Sequence, residues 1–148
     1  MPFDKVMIKE AIYREKFRNG QTFFVCPRVS DIFGVEKELR ELVPDIKILV
    51  AHGQMPVKHL EQVMNDFADG KADLLLSTTI IESGIDMPTV NTMIVHRADM
   101  FGLAQLYQLR GRVGRGKLRG YCYFTVPKQK NLKPVAERRL SILQALDT

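Results

Sequence analysis

The chain has 148 residues, 45% of them hydrophobic and 26% charged, with a formal net charge of +5. This length suits one domain and the composition is that of a globular chain, not a disordered one; no apolar run approaches the ~20 residues that span a bilayer, and Met1-Pro2-Phe3-Asp4 lacks the basic-then-apolar order of a secretion signal. The charge is uneven: residues 1–109 hold 12 basic and 15 acidic side chains, net −3, whereas residues 110–148 hold 10 basic and 2 acidic, net +8.

Residues 4–18 place Ile8, Ala11, Ile12 and Phe17 near helical spacing. Asn19-Gly20 ends that helix, because glycine accepts a left-handed backbone. Residues 21–26 are a compact aromatic and β-branched run, read as a strand that stops at Pro27. Val35, Leu39, Leu42 and Val43 mark a second helix closed by Pro44, and residues 46–51 form a second strand. Leu60, Val63, Met64 and Phe67 line a third helix that Gly70 closes. Strands follow at 72–77 and 92–96. Residues 102–113 have helical spacing, and residues 121–126 are a fifth strand. After Pro127 a polar linker leads to a last helix at about 133–145. That helix is either core or the lead into a further domain. The end Leu146-Asp147-Thr148 carries no stop signal, so the chain reads as one that continues.

The strands are short and apolar without strict alternation, the pattern of strands buried on both faces. Alternating strands and helices therefore predict an α/β fold, an open, mostly parallel sheet with helices on both faces. In such sheets ligands gather beyond the carboxyl ends of the strands. Attention falls on Arg28, on His52 and Gln54, on Ser77, Thr78 and Thr79, and on Arg97 to Asp99. Cys26 and Cys122 are too few for a disulfide scaffold and read as buried free thiols, which fits a reducing cytoplasm. His52, His59 and His96 do not fall at zinc-ligand spacing with either cysteine, so no metal site is expected. Phe101 is either a core plug or an exposed contact. Lys128, Lys130, Lys133, Arg138 and Arg139 suit nucleic acid or a solvated face equally.

The strongest motif is QLRGRVGR, residues 108–115. On a helix Gln108, Arg112 and Arg115 fall at i, i+4 and i+7 and share one face. Two guanidinium groups there can grip neighbouring phosphate oxygens. Gly111 and Gly114 permit close approach but cost a helix roughly 1 kcal/mol each relative to alanine. A solvated basic face is the plain alternative. The overlapping GRVGRGK, residues 111–117, imitates a phosphate-binding P-loop, but Leu118 stands where Ser or Thr should ligate magnesium, and a helical pattern precedes the glycines. The second motif, residues 76–88 (LSTTIIESGIDMP), ends a buried strand in three hydroxyl residues that can bind an anion. Gly84 then breaks a short turn, and Asp86 adds a carboxylate. A hydroxyl N-cap, a glycine C-cap and a surface Asp would explain the same residues.

QLRGRVGR resembles motif VI of superfamily-two helicases, and STTIIESGIDMP resembles their motif V. FFVCPRV (residues 23–29) is similar to motif IV, and VAHGQMP (residues 50–56) to the DNA-contacting motif after it. Nearly the whole chain resembles the second RecA-like motor domain of such enzymes. VAHGQM, STTIIESGID and HRADMFGLAQLYQLRGRVGR are similar to the bacterial transcription-repair coupling factors, with RecG-type branch-migrating helicases next.

The resemblance implies a RecA-like fold, with residues 1–127 as the motor domain and 128–148 as a linker and helix towards a further segment. It implies that Arg112 and Arg115 are arginine fingers for the γ-phosphate of ATP, and that Gln108 couples the nucleotide and DNA sites. Gly84 and Asp86 would face nucleotide. Thr78 and Thr79 would lie near DNA backbone, and Arg28, His52 and Gln54 would contact DNA phosphate or sugar. The implied cofactor is ATP, with Mg2+ held mainly by the first motor domain, which also carries the Walker A and B residues. This chain alone is then expected to be an inactive half-motor. The implied partners are double-stranded DNA and the first RecA-like domain, with RNA polymerase and excision-repair proteins reached through other domains, and no membrane. A RecG-like fork-remodelling role and a non-catalytic scaffold are the alternatives.

Overall fold

The computed structural model describes residues 5–78, 90–102, 104 and 121–125. The elements run α1 (Lys5–Phe17), β1 (Gln21–Val25), α2 (Val29–Leu42), β2 (Ile48–Ala51), α3 (Val57–Ala68), β3 (Leu74–Ser77), β4 (Val90–Val95), a 3-10 turn (Ala98–Met100) and β5 (Tyr121–Phe124). The strands form one five-stranded sheet, order β2-β3-β1-β4-β5, and every pairing is parallel. The expected α/β architecture is present. Most of the helix read at 102–113 and all of the last helix at about 133–145 lie outside the described residues, as does the division at residue 127.

The period-two geometry of strands divides the core in two. Phe23, Val25, Leu75, Met93 and Val95 pack with Val63, Met64 and Phe67 of α3 on one face. Phe24, Leu74, Leu76 and Ile94 pack with Ile8 and Ile12 of α1 and Ile32, Val35 and Leu39 of α2 on the other. Phe101 is buried in the first of these clusters, so it is a core plug.

Several elements differ in detail from the sequence reading. The second helix begins at Val29, six positions before Val35, because Ile32 extends the buried stripe one turn upstream. The fourth strand is Val90–Val95 and stops before His96, since Arg97 leaves extended backbone for the left-handed region at φ 53. Asn19 and not Gly20 takes the left-handed conformation after α1, at φ 62. Gly20 answers a different need: a Cβ there would lie 1.9 Å from Glu15 Oε2. Gly70 closes α3 at φ +81, as expected. Cys26 is buried, but Cys122 on edge strand β5 is only half-buried, a correction to the expectation of two buried thiols.

The amino edge of the sheet is held by polar groups. Glu15 is 1% exposed, accepts a hydrogen bond from Thr92 Oγ1, and lies 3.2 Å from Arg18 Nε. Gln21 Nε2 donates to the carbonyls of Phe67 and Ala72, at 2.7 and 2.9 Å. Asp73 accepts from Lys16 Nζ at 3.2 Å and from the Lys47 backbone N–H at 3.0 Å. These contacts stitch the helix-to-strand entries together at the end of the sheet opposite the candidate site.

Candidate functional site

Parallel strands deliver all five carboxyl ends to one edge. One backbone bond joins each neighbouring pair: Thr78 N–H to Ala51 O at 3.3 Å, Cys26 N–H to Ser77 O at 2.8 Å, His96 N–H to Val25 O at 2.8 Å and Thr125 N–H to Val95 O at 2.9 Å. The ladder thus continues one residue past the strands. Thr125 Oγ1 reinforces it with a 3.1 Å bond to Val95 O. Groups placed just beyond this line stand on a rigid base.

Arg28 precedes the first turn of α2, and its side chain is 54% exposed. Its Nε and Nη2 each donate to a different oxygen of Asp31 at 3.2 Å, which fixes the fork. His52 follows β2. Its Nδ1 accepts a 3.2 Å hydrogen bond from the Gln54 backbone N–H. That bond assigns the ring proton to Nε2, leaving a donor for an external acceptor. Gln54 is exposed. Thr78 is buried, and its Oγ1 has no hydrogen-bond partner among the described residues. The structure thus brings Arg28, His52, Gln54 and Thr78 to one edge, three of them solvent-accessible. The segments that carry Thr79, Gly84 and Asp86, and Gln108, Arg112 and Arg115, begin after Thr78 and Gly102 and lie outside the described residues.

One residue at this edge escaped the sequence reading. Phe33 on α2 is 66% exposed, and its ring meets His52 edge-on with centroids 6.3 Å apart. It sits one position off the Ile32-Val35-Leu39 stripe, a phase error that a helical wheel would have revealed. Arg97 holds a left-handed backbone that costs about 1–2 kcal/mol for a non-glycine residue. A bidentate pair to Asp99, at 3.2 and 3.1 Å, fixes its guanidinium, and this hydrogen bonding raises its pKa.

Burial also shapes two titrating groups here. It lowers the His96 imidazole below its ordinary value, with Arg97 adding to the effect and Asp31 opposing it. It pushes the Cys26 thiol up to about 12, with Asp31 adding to the shift. Cys26 is therefore an inert structural thiol at neutral pH. His59 is exposed on α3. Among the described residues no group of three or more His, Cys, Asp or Glu could hold a metal ion, and no helix is long and apolar enough to cross a membrane.

The helicase conserved C-terminal domain family matches residues 4–117. The chain is similar to the transcription-repair-coupling factor of Rickettsia bellii, at 55% identity over 97% of this chain and 13% of that protein. It is similar to the Bacillus subtilis protein of the same name, at 50% identity over 96% of this chain and 12% of that protein. The chain therefore spans about an eighth of the length of the curated relatives it matches. A solved structure of RecG bound to a three-way DNA junction superposes with a TM-score of 0.81, at 38% identity, over 96% of this chain and 19% of that one.

Proposed function

The chain belongs to the helicase conserved C-terminal domain family, and from that membership we propose that it is the second motor half of an ATP-dependent double-stranded DNA translocase. The full-length protein would couple transcription to excision repair by displacing stalled RNA polymerase. The observation that carries this reading is the 50–55% identity to coupling factors across nearly the entire chain.

ATP, when bound between this domain and the first RecA-like domain, supplies the phosphoryl group whose transfer to water powers each step. Mg2+ would be held mainly by the first domain. Arg112 and Arg115 carry positive charge to the leaving γ-phosphate, a contribution worth about 10³–10⁵ in rate for an arginine finger. Gly84 and Asp86 face nucleotide, and Gln108 links that site to DNA. Arg28, His52 and Gln54 hold the DNA backbone through a guanidinium, a ring N–H and an amide, contacts that position a duplex without reading its sequence. Thr78 and Thr79 lie near the DNA backbone. Closure around ATP and reopening after hydrolysis would move this grip along DNA. RNA polymerase and excision-repair proteins would be met through other domains.

In the full-length protein Arg115→Ala should abolish DNA-stimulated ATP hydrolysis and leave nucleotide binding largely intact. Hydrolysis near the wild-type rate would rule out the finger assignment. The 38% identity to RecG favours a second reading, remodelling of DNA forks. The flanking sequence separates them: a polymerase-interaction domain for coupling, a wedge domain for forks.

A further inference from the structure

Among the described residues of the carboxyl edge, Phe33 is an exposed aromatic ring that neither the fold nor the proposed phosphate contacts explain. Phe33 is 66% exposed, whereas its neighbour Ile32 is fully buried. Single exposed apolar residues are common and mean little alone. Phe33 differs because of what surrounds it. Its ring meets His52 edge-on, 6.3 Å between centroids at 67°. His52 is itself fixed by the bond from Gln54 N–H to Nδ1. The contact therefore bridges the second turn of α2 to the loop after β2. Arg28, with its guanidinium held in a fork by Asp31, immediately precedes the same helix. The next residue, Gly34, also borders open space: a Cβ there would meet nothing within 4 Å.

An aromatic ring against an imidazole that offers an N–H, on a helix preceded by a fixed guanidinium, matches the chemistry of a DNA strand. Its backbone alternates an apolar deoxyribose with an anionic phosphate. We propose that Phe33, braced by His52, packs against a deoxyribose of the duplex while Arg28 and His52 Nε2 engage the neighbouring phosphates. This inference rests on the DNA-translocase reading and adds an apolar contact to it. The ring would set the depth at which the backbone seats. It adds area at little conformational cost, because the His52 contact already orients it.

Duplex binding by the full-length protein, measured at a series of salt concentrations, tests this with Phe33→Ala, Phe33→Tyr and Arg28→Ala. Phe33→Ala should weaken binding about tenfold, the size of an aromatic contact to nucleic acid. Because no charge is removed, the slope of log Kd against log salt should not change. Phe33→Tyr should retain wild-type affinity. Arg28→Ala should weaken binding and reduce the salt slope by about one. Phe33→Ala should leave Tm unchanged, because it removes an exposed ring and puts a stronger helix former in its place. Wild-type affinity in Phe33→Ala beside weakened binding in Arg28→Ala would overturn the inference and leave the reading intact. Wild-type affinity in both would overturn the DNA-binding role of this edge, and the inference with it. A lowered Tm that tracks the lost affinity would make Phe33 a packing residue and overturn the proposal.

Discussion

The two ends of one sheet have opposite characters. At the amino edge charge and polarity are turned inward: Glu15 is buried against Thr92 and Arg18, and Gln21 bonds the carbonyls of Phe67 and Ala72. At the carboxyl edge Arg28 and Gln54 are exposed and Phe33 lies mostly in solvent. A buried carboxylate is tolerated only with partners, so the amino edge is committed to stability. Exposed donors on a hydrogen-bonded base gain little for folding and are available to a ligand. The residues that hold the domain are thus separate from those proposed to bind a ligand.

The largest expected effect lies at the amino edge. Glu15→Ala removes a buried charge and leaves Thr92 and Arg18 without it, which should lower stability by about 3 kcal/mol in denaturant unfolding. Gly20→Ala should act in the same direction, because its Cβ would drive the Glu15 carboxylate from its partners. A neutral result for either would break the comparison. Arg28→Ala should change stability by less than about 0.5 kcal/mol, since its pair with Asp31 lies at the surface and the Arg28 side chain is 54% exposed. Its effect should appear instead as weaker DNA affinity.

A smaller effect follows from His96, whose pKa burial lowers. As pH falls through the ordinary histidine value near 6.5, the unfolded chain takes up a proton that the folded chain resists. Stability should therefore decline from pH 7.5 towards pH 5.5, and His96→Asn should flatten that slope. An unchanged slope would remove His96 from the account. The smallest effect is chemical. A thiol reagent at pH 8 should modify half-buried Cys122 before Cys26, whose pKa stands at about 12. Equal rates would mean that the β1 end opens readily.

Much of this was legible in the chain because periodicity reports burial. The unalternating runs around Phe24 and Leu75 announced a two-faced sheet, and Gly70 announced the end of α3. The residues after each strand marked the carboxyl edge, where the structure brings Arg28, His52, Gln54 and Thr78 together, whereas the glycine-arginine cluster lies outside the described residues. What remained hidden depended on contacts between distant residues. Gly20 read as a helix terminator, because the carboxylate it makes room for belongs to Glu15, five residues away, and is pinned by Thr92 across the sheet. Phe33 read as nothing, because its value arises only when α2 brings it to His52. The partial exposure of Cys122 followed from the order of strands, which puts β5 at the edge. Charge drew attention to residues 110–148, net +8, which hold the proposed ATP fingers, whereas the proposed DNA contacts fall in the part that is net −3.

The central claim is that this domain is half of a motor that moves on duplex DNA. The most direct test is displacement of a third strand from a DNA triplex by the full-length protein. The account predicts displacement that requires ATP hydrolysis and is lost in Arg115→Ala, although that variant still binds duplex. Displacement at the wild-type rate by Arg115→Ala, or without ATP, would contradict it.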